Sequence, residues 1–337
     1  MTDLFNKLLI LRMPRIGAVR YGELVRQFGS VAAAADAVAT DAVRDAVLRE
    51  MDAAQKLGIQ YICDTDAAYP AHLGAVKNHP PVICVRGNID VLSRPTVAMV
   101  GTRHATAAGM EFISDMAAEF ASHGYAVASG MAIGTDSAAH TGALRVAGTM
   151  QTIAVLAGGA DYVWPAENES LYREIVARGA VVTEMPVGFV PKANNFMQRN
   201  RWIAGMAEKL ILGEADINSG SMATARFAIE YNRPVFAVPS HPADSRAAGP
   251  NSLIKSGAAT LCDNISDFFA TATGHEKKSY SGTESENELL DKLGMFPVSE
   301  SVLAQIVKKS VPEIKRDLVL LELRGLVRKQ NGGYVRV

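Results

Sequence analysis

The chain has 337 residues, 48% hydrophobic and 20% charged, with a formal net charge of −1. Such a composition buries a large core, and at roughly 100–200 residues per domain it divides into two or three units. No stretch approaches the roughly 18 apolar residues of a membrane span, and Met1-Thr2-Asp3-Leu4-Phe5 has no basic start before an apolar run, so a cytoplasmic location away from any membrane is expected.

Residues 1–75 read as a small helical domain. "LLILRMPRIGAVRYGELVRQFGS" carries Leu, Ile and Val at helical intervals, broken at Met13-Pro14-Arg15-Ile16-Gly17 and at Gly29-Ser30. The Pro-x-Ile-Gly break fits a helix-hairpin-helix phosphate contact or, more simply, a plain helix connection.

From 76 to 270, short β-branched runs alternate with helices of 10–15 residues, the pattern of a parallel sheet covered on both faces. The runs are Val97–Val100, Ala126–Ala128, Thr152–Leu156, Val181–Thr183, Leu210–Leu212, Val235–Val238 and Ala259–Leu261. They predict one doubly wound α/β domain with its ligand edge at the strands' carboxyl ends. The polar stretch 271–288 reads as a flexible linker. Residues 289–337 read as three helices, with Pro312 near the start of the third, and a hairpin turning at Asn331-Gly332-Gly333: a winged helix. Its helices and hairpin from Ser301 onward hold eight basic and three acidic residues, and nucleic acid and protein are equally open as its partner.

Along the sheet's carboxyl edge, Gly101-Thr102-Arg103 closes the first strand before a helix near Ala107, a place for an anion. A dinucleotide fingerprint would need glycine at position 103 and an acid closing the next strand; Arg103 and Ser129-Gly130 stand there instead, so no nicotinamide cofactor is expected. Arg103 is then a phosphate contact or an ordinary surface arginine. The loop "SGMAIGTDSAAH" (129–140) offers a second cradle, and Asp136 with His140 reads as a helix-capping Asp and a hydrogen-bonded His rather than half a metal site. A long loop after Thr183 sets Lys192, Phe196, Arg199, Asn200 and Arg201 close together, the basic–aromatic mixture that suits single-stranded nucleic acid, unless Phe196 and Trp202 are core and the arginines pair with acids. Ser219-Gly220-Ser221 opens a further helix as a close-packed turn or a phosphate contact. No nucleophile stands beside a base on this edge, which looks made to bind and not to react, and no metal or cofactor is expected. The three cysteines, Cys63, Cys84 and Cys262, are widely spaced among apolar neighbours and read as reduced core thiols.

Together, Gly101-Thr102-Arg103, the 129–140 loop, Trp164-Pro165-Ala166-Glu167-Asn168, Phe196-x-x-Arg199-Asn200-Arg201, Ser219–Ala225 and Gly249-Pro250-Asn251-x-Leu253-Ile254 resemble the DNA-processing protein A (DprA/Smf) family over nearly the whole chain. The resemblance implies a Rossmann-like domain flanked by a SAM-like helical domain and a winged helix. It implies a non-enzymatic single-stranded DNA binding protein that protects incoming DNA and promotes RecA loading in natural transformation or related recombination, as a homodimer built through the Rossmann-like domain. The family's DNA contacts carry over to Arg103, Ser129, Gly130, Lys192 and Phe196. Ile133, Thr135, Met197 and Ser240 depart from the family's usual residues. The rival readings are a nucleotide-binding or nucleotide-processing protein of the same superfamily, against which Phe227 stands where a catalytic glutamate would be, and a ligand-sensing winged-helix transcription factor.

Overall fold

A computed structural model describes residues 3–266, 268, 283–293, 298–330 and 332–336. Those before and after residue 267 belong to two compact units.

The first unit begins with four helices, α1 (Asp3–Leu11), α2 (Ala18–Phe28), α3 (Val31–Val38) and α4 (Asp41–Lys56). Strand β1 (Ile59–Cys63), the single turn α5 (Ala71–Gly74) and strand β2 (Val82–Gly87) follow. The doubly wound portion runs β3 (Thr96–Val100), α6 (Ala107–Ser122), β4 (Ala126–Ser129), α7 (Thr135–Leu144), β5 (Thr152–Val155), α8 (Glu169–Arg178) and β6 (Ala180–Thr183). It continues through α9 (Ala193–Met206), β7 (Lys209–Leu212), α10 (Gly220–Glu230), β8 (Val235–Ala237), α11 (Ala248–Ser256) and β9 (Thr260–Leu261).

The strands form one sheet in the order β1-β2-β6-β5-β4-β3-β7-β8-β9. All seven expected strands are present and mutually parallel, and those from β3 to β8 are buried along their whole length, as strands covered on both faces must be. The chain winds outward one way from β3 through β4, β5 and β6, then returns to place β7 on β3's other side. The order reverses between β3 and β7, which is where a doubly wound sheet opens its ligand crevice.

Two strands were not expected. β2 pairs antiparallel with β6 and β1 antiparallel with β2, so Ile59–Cys63 extends the sheet from within the segment read as purely helical. The helices are accordingly a layer of the same unit: Leu8, Leu9, Tyr21, Leu24 and Val47 share a core with Cys63 and Val82. Buried Lys7 reaches Asp64 at 2.6 Å, and Arg12 grips Glu50 through two hydrogen bonds of 2.8 Å. The helices expected as a domain over 1–75 thus share one compact unit with the sheet.

The second unit contains α12 (Glu284–Lys292), α13 (Glu300–Val307), α14 (Val311–Leu323), β10 (Val327–Gln330) and β11 (Gly333–Arg336), the two strands pairing antiparallel. Leu289, Leu303, Ile314, Leu318, Leu321 and Tyr334 close its core. Of the expected linker, 271–282 lies outside the described residues. Its last part is helical, because Thr283 and Glu286 form a capping box that starts α12. Pro312 stands in the first turn of α14, as expected; of the expected hairpin turn, Asn331 lies outside the described residues.

Candidate nucleic-acid interface

A cleft of about 320 Å³ opens at the switch point between β3 and β7. One wall is the turn after β3, Gly101 to His104; the opposite wall is the start of α10, Ser219 to Thr224; the floor is α9, through Phe196, Arg199, Asn200 and Ile203. The segment holding Lys192 to Arg201 is thus a helix, where a loop was expected, and helical geometry decides which of its residues meet the cleft.

The turn after β3 is held from below. Thr102 is buried: its amide donates to the Glu214 carbonyl at 2.6 Å, and its hydroxyl accepts from the His104 amide at 3.2 Å. The Glu214 carboxylate takes the Thr106 amide at 2.7 Å and the Thr106 hydroxyl at 2.6 Å, while that hydroxyl caps Gly109. The start of α6, expected to favour a bound anion, therefore already holds an internal carboxylate. Across the cleft, Ser221 Oγ donates to the Gly101 carbonyl at 2.6 Å and Ser219 caps Met222, leaving the Gly220 and Ser221 amides as helix-start donors at the cleft wall.

Arg103 is exposed and pairs with no carboxylate among the described residues. Its guanidinium carbon lies 5.0 Å from the Trp164 ring centre and 6.0 Å from that of Phe196, and the two rings are 4.4 Å apart at 55°. The three side chains form a cation–aromatic stack on the cleft mouth. Asn168 anchors the Trp164 segment by donating to the Met131 carbonyl at 2.8 Å. The sequence shows Trp164 only within a motif; its place in the stack depends on a loop more than 60 residues from Arg103. His104, Asp136 and Thr224 also line the cleft, with no sequence signal that marks them as contacts.

Arg199, only 6% exposed, is an internal strut. Its Nη1 donates to the carbonyls of Gly130 at 2.5 Å and Val155 at 2.6 Å, and its Nε donates to Asn200 Oδ1. The guanidinium packs so close to Gly130 that a Cβ there would meet it at 2.6 Å, which explains the glycine. Burial pushes the Arg199 pKa down to about 10, against the attraction of Asp136 and together with repulsion from Arg103. An anion settling between the two guanidiniums would relieve that repulsion.

Other expected contacts are placed elsewhere. Ser129 is fully buried and its hydroxyl donates to the Met99 carbonyl at 2.7 Å, so it ties β4 to β3 and cannot reach a ligand. Gly130 is likewise covered, by Arg199. Arg201, two residues from Arg199, lies on the other side of α9, donating to the Asn78 carbonyl at 2.8 Å and stacking 3.7 Å from the Trp202 ring. Lys192 is exposed at the helix's N-cap beside the cleft-lining Ala193. Asn200 donates to the Gly220 carbonyl at 3.2 Å, bracing α9 against α10. Trp202 is core, as expected, and donates to Glu184 at 2.8 Å.

Asp136 and His140 are separately bonded structural groups, and α7 starts from an N-cap at Gly134 with no side-chain cap, so Asp136 does not cap it. Asp136 Oδ2 accepts from the Ala132 amide at 3.3 Å, and burial raises its pKa while Arg199 opposes. His140 Nδ1 meets Thr152 Oγ1 at 2.6 Å; since that hydroxyl donates to the Val127 carbonyl, the imidazole is the donor and is neutral. The three cysteines are buried thiols.

Fold and cleft together define a Rossmann-like α/β protein whose switch-point crevice is basic and aromatic. The family model for DNA recombination-mediator protein A matches residues 60–273, beginning within β1. The chain belongs to that family. It is 34% identical to Protein Smf of Synechocystis over 248 residues, 72% of this chain but only 56% of that protein's length. It is 32% identical to Protein Smf of Escherichia coli over 282 residues, 80% of this chain and 75% of the relative. Among solved structures, DNA processing protein A of Streptococcus pneumoniae superposes with TM-score 0.64 at 30% identity, covering 80% of this chain and 98% of that one. The Helicobacter pylori protein of the same name, whose structure concerns its single-stranded DNA binding mode, gives TM-score 0.58 at 30% identity over 64% and 96%.

Proposed function

We propose that the chain binds single-stranded DNA across the carboxyl edge of its sheet and acts as a recombination mediator, protecting the strand and promoting RecA loading during DNA uptake. One observation carries this reading: Arg103, an arginine without an acid partner among the described residues, lies over Trp164 and Phe196 at a cleft faced by the helix-start amides of Gly220 and Ser221. Guanidinium and amides suit successive phosphates, and aromatic faces suit bases of any sequence. The likeness to the Helicobacter pylori protein supports it. The reading includes a homodimer through the Rossmann-like unit, a non-enzymatic role in the cytoplasm, and a winged-helix function for the three helices and hairpin of the second unit.

Fluorescence anisotropy of a labelled strand of about 30 nucleotides, across a salt series and with duplex and mononucleotide competitors, tests it. The wild type is expected to bind without sequence preference, log affinity falling by about 0.7 per phosphate neutralised for each tenfold rise in salt. Arg103→Ala reduces that slope by about 0.7. An unchanged slope would remove Arg103 from the interface. Strong competition by a nucleoside monophosphate, which a cleft of about 320 Å³ has room for, would make it a small-molecule site instead.

A further inference from the structure

A second, larger groove of about 740 Å³ lies on the other side of α9, walled by the α1–α2 turn, Pro80-Pro81 and the segment after β6. We propose that this groove takes the phosphate backbone of the single strand as it leaves the cleft, an extension that rests on the single-stranded DNA reading above.

Four arginines line the groove, Arg12, Arg15, Arg20 and Arg201, against one acid, Glu184. Arg12 is neutralised by its two bonds to Glu50, and Glu184 is turned inward onto the Trp202 indole N–H. Among the described residues Arg20 meets only Glu23, at 2.8 Å, an exposed pair of little energetic weight. Arg15 is exposed, has no acid partner among the described residues, and holds φ of 66°, a left-handed conformation that a non-glycine residue adopts at a cost. Arg201 spends one nitrogen on the Asn78 carbonyl, and its buried Nε has no partner among the described residues.

Beside these, α2 begins at Gly17 with no side-chain cap, so the helix-start amides near Ala18 and Val19 border the same space. Phe189 adds an aromatic face. Cations, unclaimed amides and an aromatic are the groups that hold a sequence-neutral single strand.

Continuity comes from α9 itself. Phe196, Arg199 and Asn200 face the cleft, whereas Asn195, Gln198 and Arg201 face the groove. A helix with its side chains is about 10–12 Å across, so a strand passing over the exposed first turn, at Lys192 and Ala193, reaches the groove within a few phosphates. A free acidic peptide from a partner protein is the competing occupant.

The test compares the full chain with an Arg15→Gln/Arg20→Gln double variant, an Arg15→Lys/Arg20→Lys control and Arg103→Ala, on strands of about 6 and about 30 nucleotides. The Gln variant is expected to lose about 1.4 units of salt slope on the long strand and none on the short one, with the Lys control restoring the slope. Arg103→Ala weakens both lengths. If Arg103→Ala weakens binding but the Gln variant matches wild type at both lengths, the groove is off the strand's path and the extension fails alone. Capture of a polyglutamate peptide with unchanged DNA binding also overturns it. If the wild type binds neither strand, the underlying reading and the extension fall together.

Discussion

Arg103 and Arg199 carry the same guanidinium in opposite surroundings. Arg103 touches aromatic faces and solvent, so its removal costs a ligand contact and little else. Arg199 satisfies two buried carbonyls and is the counter-charge named for Asp136, so its removal leaves polar groups stranded. We expect Arg199→Met to cost about 3–5 kcal/mol, a fall in Tm of roughly 5–15 °C, while Arg103→Ala leaves Tm unchanged and loses DNA affinity. Thermal unfolding of both variants checks the split; equal melting would return Arg199 to the class of surface contacts. The types of these residues were legible from the chain, but exposure was not, because it depends on carbonyls contributed by Gly130, just after β4, and by β5.

At the level of the element, α7 is pinned to the sheet by the buried His140–Thr152 bond. Burial, reinforced by Arg199, pushes the His140 pKa from 6.5 down to about 3. The folded state binds this proton more weakly than the unfolded chain, so the neutral imidazole's contribution is complete above pH 6.5 and declines as pH falls toward about 3. Within that window the unfolding free energy should drop by up to about 1.4 kcal/mol per pH unit from this group. His140→Gln should flatten that part of the Tm–pH curve, and a variant curve parallel to wild type would refute the assignment. The strand pattern itself was readable: each parallel strand is a short apolar run after a helix. β1 and β2 escaped because their pairing is antiparallel and, for β2, with a strand about a hundred residues away, which no local period reports. The opposite faces of Arg199 and Arg201 follow from 3.6 residues per turn once the segment is known to be helical.

For the molecule as a whole, the formal charge of −1 conceals local clusters of cations, and binding follows those local fields more than the net charge. The first unit holds both the cleft and the groove and has a core of its own. A chain ended at residue 266 is therefore expected to unfold cooperatively and to keep Arg103-dependent strand binding. Circular dichroism melts and the same anisotropy titration decide this. Loss of binding in a folded truncated chain would mean that the C-terminal unit completes the interface.

The sequence by itself determined the α/β class, the seven parallel strands and the motif order, because apolar period, glycine turns and residue chemistry are local properties. Only the tertiary structure decided that the helical layer belongs to the sheet unit, that Ser129 and Arg199 are buried, and that Trp164 joins Arg103. Those outcomes depend on which distant backbone groups need partners, and for these residues burial and bonding are settled between segments.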